Sequence, residues 1–324
     1  LNKTPLPSTE PDRRAFSFDI IPTSLIDNII VAKSSSVNLP GDWSGGLIQV
    51  TTKEVSNNFF NISLGSGWGS VSTFEKFKLV QPTEFPSSFP STYRYRISSN
   101  GDKRAFTKLI NKPSESSFQS IPNLNGGLSF GYAKGKFNSL FSSTVRNTYT
   151  LNYIDRKDYQ SSTELAYSYR DTLFTKRVST NGLLNLTYLG ENRYSWKTLV
   201  NYQSENSYLT RNGDNFDNVQ NVRSTASNNI NNIVVNSQLD GKIETFNFNV
   251  GYNYMFREQP DYRINPITKS LGVNEPYQTA WRDTYRFWSV MDENSFNGNV
   301  NKEIGKIKVG GGYLKRFRGF NARI

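Results

Sequence analysis

The side chains that carry reactive chemistry in this 324-residue chain are few in kind, because it contains no histidine and no cysteine. Without imidazole or thiolate there is no Ser-His-Asp or Cys-His nucleophile, no disulfide, and no zinc site built on those ligands. Carboxylates remain, and Asp292-Glu293 is the most obvious adjacent pair. Consecutive side chains on a strand point to opposite faces, so this pair does not converge as an acid-base dyad. Solvated charge is the simpler reading of both residues. The expectation is a protein that is not an enzyme, with no metal and no cofactor.

The cations lead no further towards catalysis. There are 38 Lys and Arg against 27 Asp and Glu, a net charge of +11. They are scattered through segments such as KRAF, DRKDY, TKRVS and KRFRGF rather than gathered, and no nucleic-acid motif accompanies them. No nucleic-acid partner is expected; anionic lipid and lipopolysaccharide suit a dispersed basic surface.

The elements that must position these groups follow from composition. Only 35% of residues are hydrophobic, yet 14% are aromatic, with 18 Tyr and 22 Phe. That pairing suits strands in which aromatics alternate with Ser, Asn, Thr and Gly. No apolar run is long enough for a membrane-crossing helix. The mean hydropathy of −0.59 is no evidence for solubility, since barrel strands spend apolar residues on one face only.

From Asn58 onward the hydrophobic period is two. Phe60, Ile62, Leu64 and Trp68 share a face, as do Leu128, Phe130 and Tyr132. The clearest stretch is TFNFNVGYNYMF, with Phe246, Phe248, Val250, Tyr252, Tyr254 and Phe256 opposite Thr245, Asn247, Asn249, Gly251 and Asn253. Short turns are expected at Lys134-Gly135-Lys136, Gly190 to Arg193, Asp240-Gly241-Lys242 and Gly305-Lys306. Long polar connections are expected over Val71 to Asn123, Asn212 to Ser224 and Gln259 to Arg286. The count is about nine strands, from Asn58 to near Arg318. Residues 1–55 differ: a short helix is expected after Pro22, then a strand over Ile29 to Ala32, then the corner LPGDWSGG. This is a small α+β unit, too short to hold its own core. Leu1 opens a polar, proline-containing segment instead of a charged-then-apolar leader, so the expectation is a mature or partial chain.

The stretch PTSLIDNIIVAKSSSVNLPGDWSGGLIQVTTK resembles the closing segment of the plug domain in TonB-dependent outer-membrane receptors. There a Pro-led helix precedes a strand of the type I-E-V-x-(K/R)-G, and G-G-x-I-x-(I/V)-x-T-K leads into the first barrel strand. Pro22, Leu25 and Ile26 fit the helix, and Ile29, Val31 and Lys33 the strand. Gly45, Gly46, Ile48, Val50, Thr52 and Lys53 fit the closing motif. The preceding LNKTPLPSTEPDRRAFSFD is most similar to the large receptors of Bacteroidota that carry an upstream carboxypeptidase-regulatory-like domain. Two positions depart from the pattern: Ile30 replaces the acidic residue and Ser34 the glycine, which leaves Lys33 without its usual local partner.

The resemblance implies an all-β fold: a partial transmembrane antiparallel β-barrel, about nine of 22 strands, over residues 56–324. The C-terminal part of an α+β plug domain precedes it over residues 1–55. It also implies energised nutrient uptake across the outer membrane of a Gram-negative bacterium, with the TonB complex as partner. Asp42 and Trp43 are candidates for contact between plug and wall. Tyr93, Tyr95, Tyr277 and Trp281 are candidates for contact with a ligand through the loops, with loop packing as the simpler reading. Two other readings stay open. One is a receptor-like barrel serving as a subunit of an outer-membrane assembly under a surface lipoprotein lid. The other is a soluble β-rich adhesin.

Overall fold

The computed structural model describes residues 1, 2, 4–7, 26–33, 46–55, 57–81, 115–280 and 282–323. Among them the chain is all β, with no helix. The expected helix start at Pro22 and the corner residues Asp42, Trp43 and Gly45 lie outside the described residues, as do Tyr93, Tyr95 and Trp281. Ile26, expected in the helix, instead opens strand β1 (Ile26–Ala32), which pairs antiparallel with β2 (Leu47–Thr52). What is described of the small N-terminal unit is thus a β-hairpin.

The rest is dominated by one antiparallel sheet. Its path runs through β3 (Phe59–Gly67), β6 (Asn123–Lys134), β7 (Phe137–Tyr159), β8 (Leu165–Leu189) and β9 (Arg193–Asn215). It continues through β10 (Gln220–Ile243), β11 (Phe246–Ser270), β13 (Tyr285–Ile304) and β14 (Ile307–Arg323). The nine strands of this path agree with the count of about nine expected from the alternation, and each lies beside the next along the path. The two-residue strand β12 (Gln278–Thr279) adds to β11. A second hairpin, β4 (Lys76–Val80) with β5 (Glu115–Gln119), forms a separate two-stranded sheet. β3 and β14 end the path, and the described strands do not close on themselves.

Strands β7 to β11 are 23 to 25 residues long, far beyond the usual five or six. At one end of the sheet the connections are tight. Gly135 and Gly305 take φ +60° there, the conformation that a two-residue hairpin turn needs and that glycine adopts without strain. The turn expected at Asp240-Gly241-Lys242 is displaced. Gly241 stays in the ladder between Tyr194 and Phe248, and the chain reverses at Glu244-Thr245. The Phe248 ring occupies the space that a side chain on residue 241 would take, so a good turn sequence is spent inside a strand. At the other end, the loop expected over Asn212 to Ser224 is mostly strand, with 216–219 as its tip. Residues 259–270 of the expected loop continue β11.

Candidate functional site

Register and alternation assign every strand residue to one of two faces, and the burial of those faces is inverted relative to a water-soluble sheet. One face carries Asn185, Lys197, Gln238 and Asn297, and in neighbouring rows Asn181, Asn201, Asn236, Asn253 and Ser295. All are buried. The other face carries Phe141, Val145, Leu186, Trp196, Val200, Tyr202, Leu239, Val250, Phe296 and Val300, all exposed. Cross-strand rows such as Leu186, Trp196, Leu239 and Val250 make the exposed residues a continuous belt. The belt occupies the half of the sheet nearest the tight turns. On β7 it runs from Phe137 to Val145; beyond it the same face turns polar at Asn147, Ser204 and Asn231. Asp292 and Glu293 point to opposite faces, Glu293 being buried 3.7 Å from Arg318.

The polar face is where the N-terminal unit rests. Val50 and Val55 pack with Leu140, Leu183 and Leu199 in a small apolar cluster beside the tight turns. Around it nearly every contact is polar. Asn185 donates to the carbonyl of Lys53 at 3.2 Å, and Asn138 to that of Val55 at 3.0 Å. Thr52 is held by Asn2, whose side-chain oxygen accepts from the Thr52 N–H at 2.8 Å. Thr4 donates to Gln238 at 2.8 Å, and Asn253 to the carbonyl of Pro5 at 3.1 Å. Gly251 makes room for this approach, for a Cβ there would stand 2.9 Å from the Thr4 methyl.

The charged centre of the contact is Glu54. Its carboxylate meets Lys197 at 2.8 Å and Arg193 at 2.6 Å. Partial burial pushes its pKa up, but the bonds and charges of Lys197 and Arg193 outweigh this and hold it below the usual carboxylate range. An open cavity of about 550 Å³ lies beside it, lined by Glu54, Val55, Lys134, Asn138 and Arg193 among others. Farther along the polar face, amides bond to one another across strands. Asn253 donates to Ser295 and Asn297 to Asn249, each at 3.1 Å. Buried carbonyl oxygens of Asn201 and Asn297 have no protein partner, as suits a surface that meets water.

Of the motif residues, Thr52 is buried in this contact and Lys53 is exposed next to it, while Lys33 and Gly46 are exposed at the other end of the β1–β2 pair. Tyr277 lies elsewhere, its ring covered by Arg223 at 4.4 Å and by Lys269 at 5.4 Å. Sequence reasoning missed two buried aspartates on the long strands. Asp171 is clamped by Arg211 at 2.8 Å through both oxygens and by Arg156 at 2.8 Å; Asp261 is held by Arg263 and Arg286. Their partners come from neighbouring strands or across a bulge, and linear spacing carries no trace of that. Among the described residues no group of His, Cys, Asp and Glu is arranged to hold a metal ion.

The opposite face holds the second hairpin. Phe77 is fully buried and packs edge-on against Tyr149 at 5.4 Å and Phe174 at 5.2 Å, with Leu79, Val80, Leu151 and Tyr208 around it. The sequence reading placed β4 and β5 inside one long loop, because five-residue strands give too little alternation to detect. The chain matches no protein-family profile, no characterised protein and no solved structure with which it was compared.

Proposed function

We propose that the chain belongs to a TonB-dependent outer-membrane receptor, in which the long sheet is barrel wall and the β1–β2 hairpin is the closing part of the plug. The observation that carries this reading is the inverted burial. An apolar face left open to its surroundings suits an apolar solvent, and the polar face opposite it suits a wet interior. The belt's extent supports it: Phe137 to Val145 is nine residues, against the roughly 9–11 of a tilted strand that crosses a bilayer. Tyr188, Tyr194 and Phe248 line its lower rim beside Phe137, where an interfacial girdle belongs.

Import in this reading breaks no covalent bond. TonB, driven by the inner-membrane proton gradient, pulls on the plug, and the plug shifts against the wall. The contact at Glu54, Asn138 and Asn185 suits that motion, since each bond can be exchanged for one to water at small net cost. Two experiments test the proposal. The protein should fractionate with the outer membrane as a heat-modifiable, detergent-soluble species; recovery in the aqueous phase without detergent would refute it. Growth on the transported nutrient should require both this protein and TonB. Assembly defects that appear without TonB dependence would move the assignment to an assembly subunit.

A further inference from the structure

We propose that the turn joining β3 to β4, residues 68–75, is an interfacial anchor that seats Trp68, Val71 and Phe74 among the lipid headgroups at the far rim of the apolar belt. The proposal rests on the membrane reading above and adds a lipid-contacting element that the barrel strands do not supply.

Three observations carry it. First, the turn repeats the inversion of the sheet within eight residues. Its polar side chains Ser72 and Thr73 are buried, while Trp68, Val71 and Phe74 are exposed. Second, the presentation is enforced by the fold. The Thr73 N–H donates to the Gly69 carbonyl at 2.9 Å, and the Gly69 N–H to the Thr73 hydroxyl at 2.9 Å. The Phe74 N–H donates to the Ser120 carbonyl at 3.1 Å, and the Ser120 hydroxyl donates to the Ser72 carbonyl. Phe74 itself sits at φ +64°, strained for a bulky side chain, and its ring meets Trp68 edge-on at 5.3 Å. Third, the patch continues the belt. Phe60, Ile62 and Leu64 lead along β3 to Trp68, with Ile121 and Leu124 exposed beside them.

The position suits the chemistry. Trp and other amphipathic aromatics concentrate at headgroup depth, and Trp68 follows Leu64 by four residues, just past the belt. Lys76 is exposed and Lys78 half-buried in the adjoining strand, with Glu115 4.0 Å from Lys78.

None of these 324 residues is a cysteine, so a label can be placed in this part of the protein at one chosen position. Val71→Cys is labelled with bimane in the intact protein, reconstituted in vesicles carrying nitroxides at the headgroup or deep in the acyl chains; Val145→Cys is the belt reference. The Val71 label should lose most fluorescence to the headgroup nitroxide and little to aqueous iodide, while the Val145 label loses most to the deep one. Iodide quenching at Val71 with Val145 still in lipid overturns the anchor and leaves the membrane reading standing. Iodide quenching at both overturns the membrane reading itself. A Val71 label shielded from every quencher overturns the anchor in favour of a protein cover. Phe74→Gly relieves the backbone strain and removes the ring, so it should fold with the same heat-modifiability yet reduce headgroup quenching at Val71. Unchanged quenching in that variant also counts against the anchor.

Discussion

Two small hairpins lie against the same sheet, on opposite faces and toward opposite ends, and they are held by opposite means. β1–β2 rests on the polar face beside the tight turns, through a cluster of Leu1, Val50 and Val55 with Leu140, Leu183 and Leu199 that is ringed by asparagine bonds to backbone carbonyls and by the Glu54 ion pairs. β4–β5 rests on the other face, beyond the apolar belt, through a dry cluster of Phe77, Tyr149, Phe174 and Tyr208. The first contact offers water an equivalent bond wherever a protein bond is broken. The second is mostly dry, with only the bonds from Asn206 to the Val80 carbonyl and from Tyr208 to Glu115 beside the rings, so opening it chiefly forfeits dispersion and burial. In the plug reading proposed above, the contact ringed by polar bonds is the one suited to shift, and the aromatic contact the one suited to stay.

The largest expected effect comes from breaking the dry side. Phe77→Ala should cost about 3–5 kcal/mol, as for a fully buried aromatic, read as lost hydrogen-exchange protection in β4 and β5 with β1–β2 unchanged. Equal loss in both hairpins would erase the distinction between them. Next is Gly251→Val, whose side chain collides with the Asn297 side chain and with Thr4. It should cost about 1–3 kcal/mol through overpacking and release the Thr4–Gln238 bond while leaving β4–β5 protected.

Glu54→Gln sharpens the wet side. Glu54 is substantially exposed and so screened, but its loss strands the largely buried Lys197, and about 1–2 kcal/mol is expected. The same site gives a pH signature with a definite sign. The folded pKa of Glu54 is depressed, so its contribution is present above the unfolded carboxylate value and is lost as pH falls through the lower folded value. Exchange protection of β2 should therefore weaken on acidification in the parent protein, and much less in Glu54→Gln. The smallest effect belongs to Asn138→Ala, about 0.5–1.5 kcal/mol for its bond to the Val55 carbonyl, detectable as faster exchange near Val55.

The sequence carried the sheet wherever one face was apolar. Phe246 to Phe256 alternates cleanly because that segment crosses the belt, and the strand was legible from it. The ends of the strands around the 216–219 tip were not, because polar residues fill both faces there: Asn212 lies opposite Arg170 and Arg223, and nothing in such a pattern distinguishes strand from loop. Asp240-Gly241 misled for a related reason, since the Phe248 ring that covers Gly241 is a tertiary fact. At the candidate site, Thr52 and Lys53 were legible as a motif. The residues that grip them and the adjoining Glu54 and Val55, namely Asn2, Asn185, Lys197 and Asn138, came from distant positions in types that are common throughout the chain.

The central claim is that one face of the sheet meets lipid and the other meets a wet interior, and β9 tests it directly. Nitroxide labels placed singly from position 194 to position 208 are measured for collision with oxygen, which concentrates in lipid, and with a polar nickel chelate, which stays in water. The account predicts a two-residue alternation, with oxygen favoured at 196, 198, 200 and 202, and disfavoured at 195, 197, 199 and 201. The alternation should fade beyond Ser204, where the belt ends. Nickel access at the even positions, equal to that of a surface loop, would contradict the account outright.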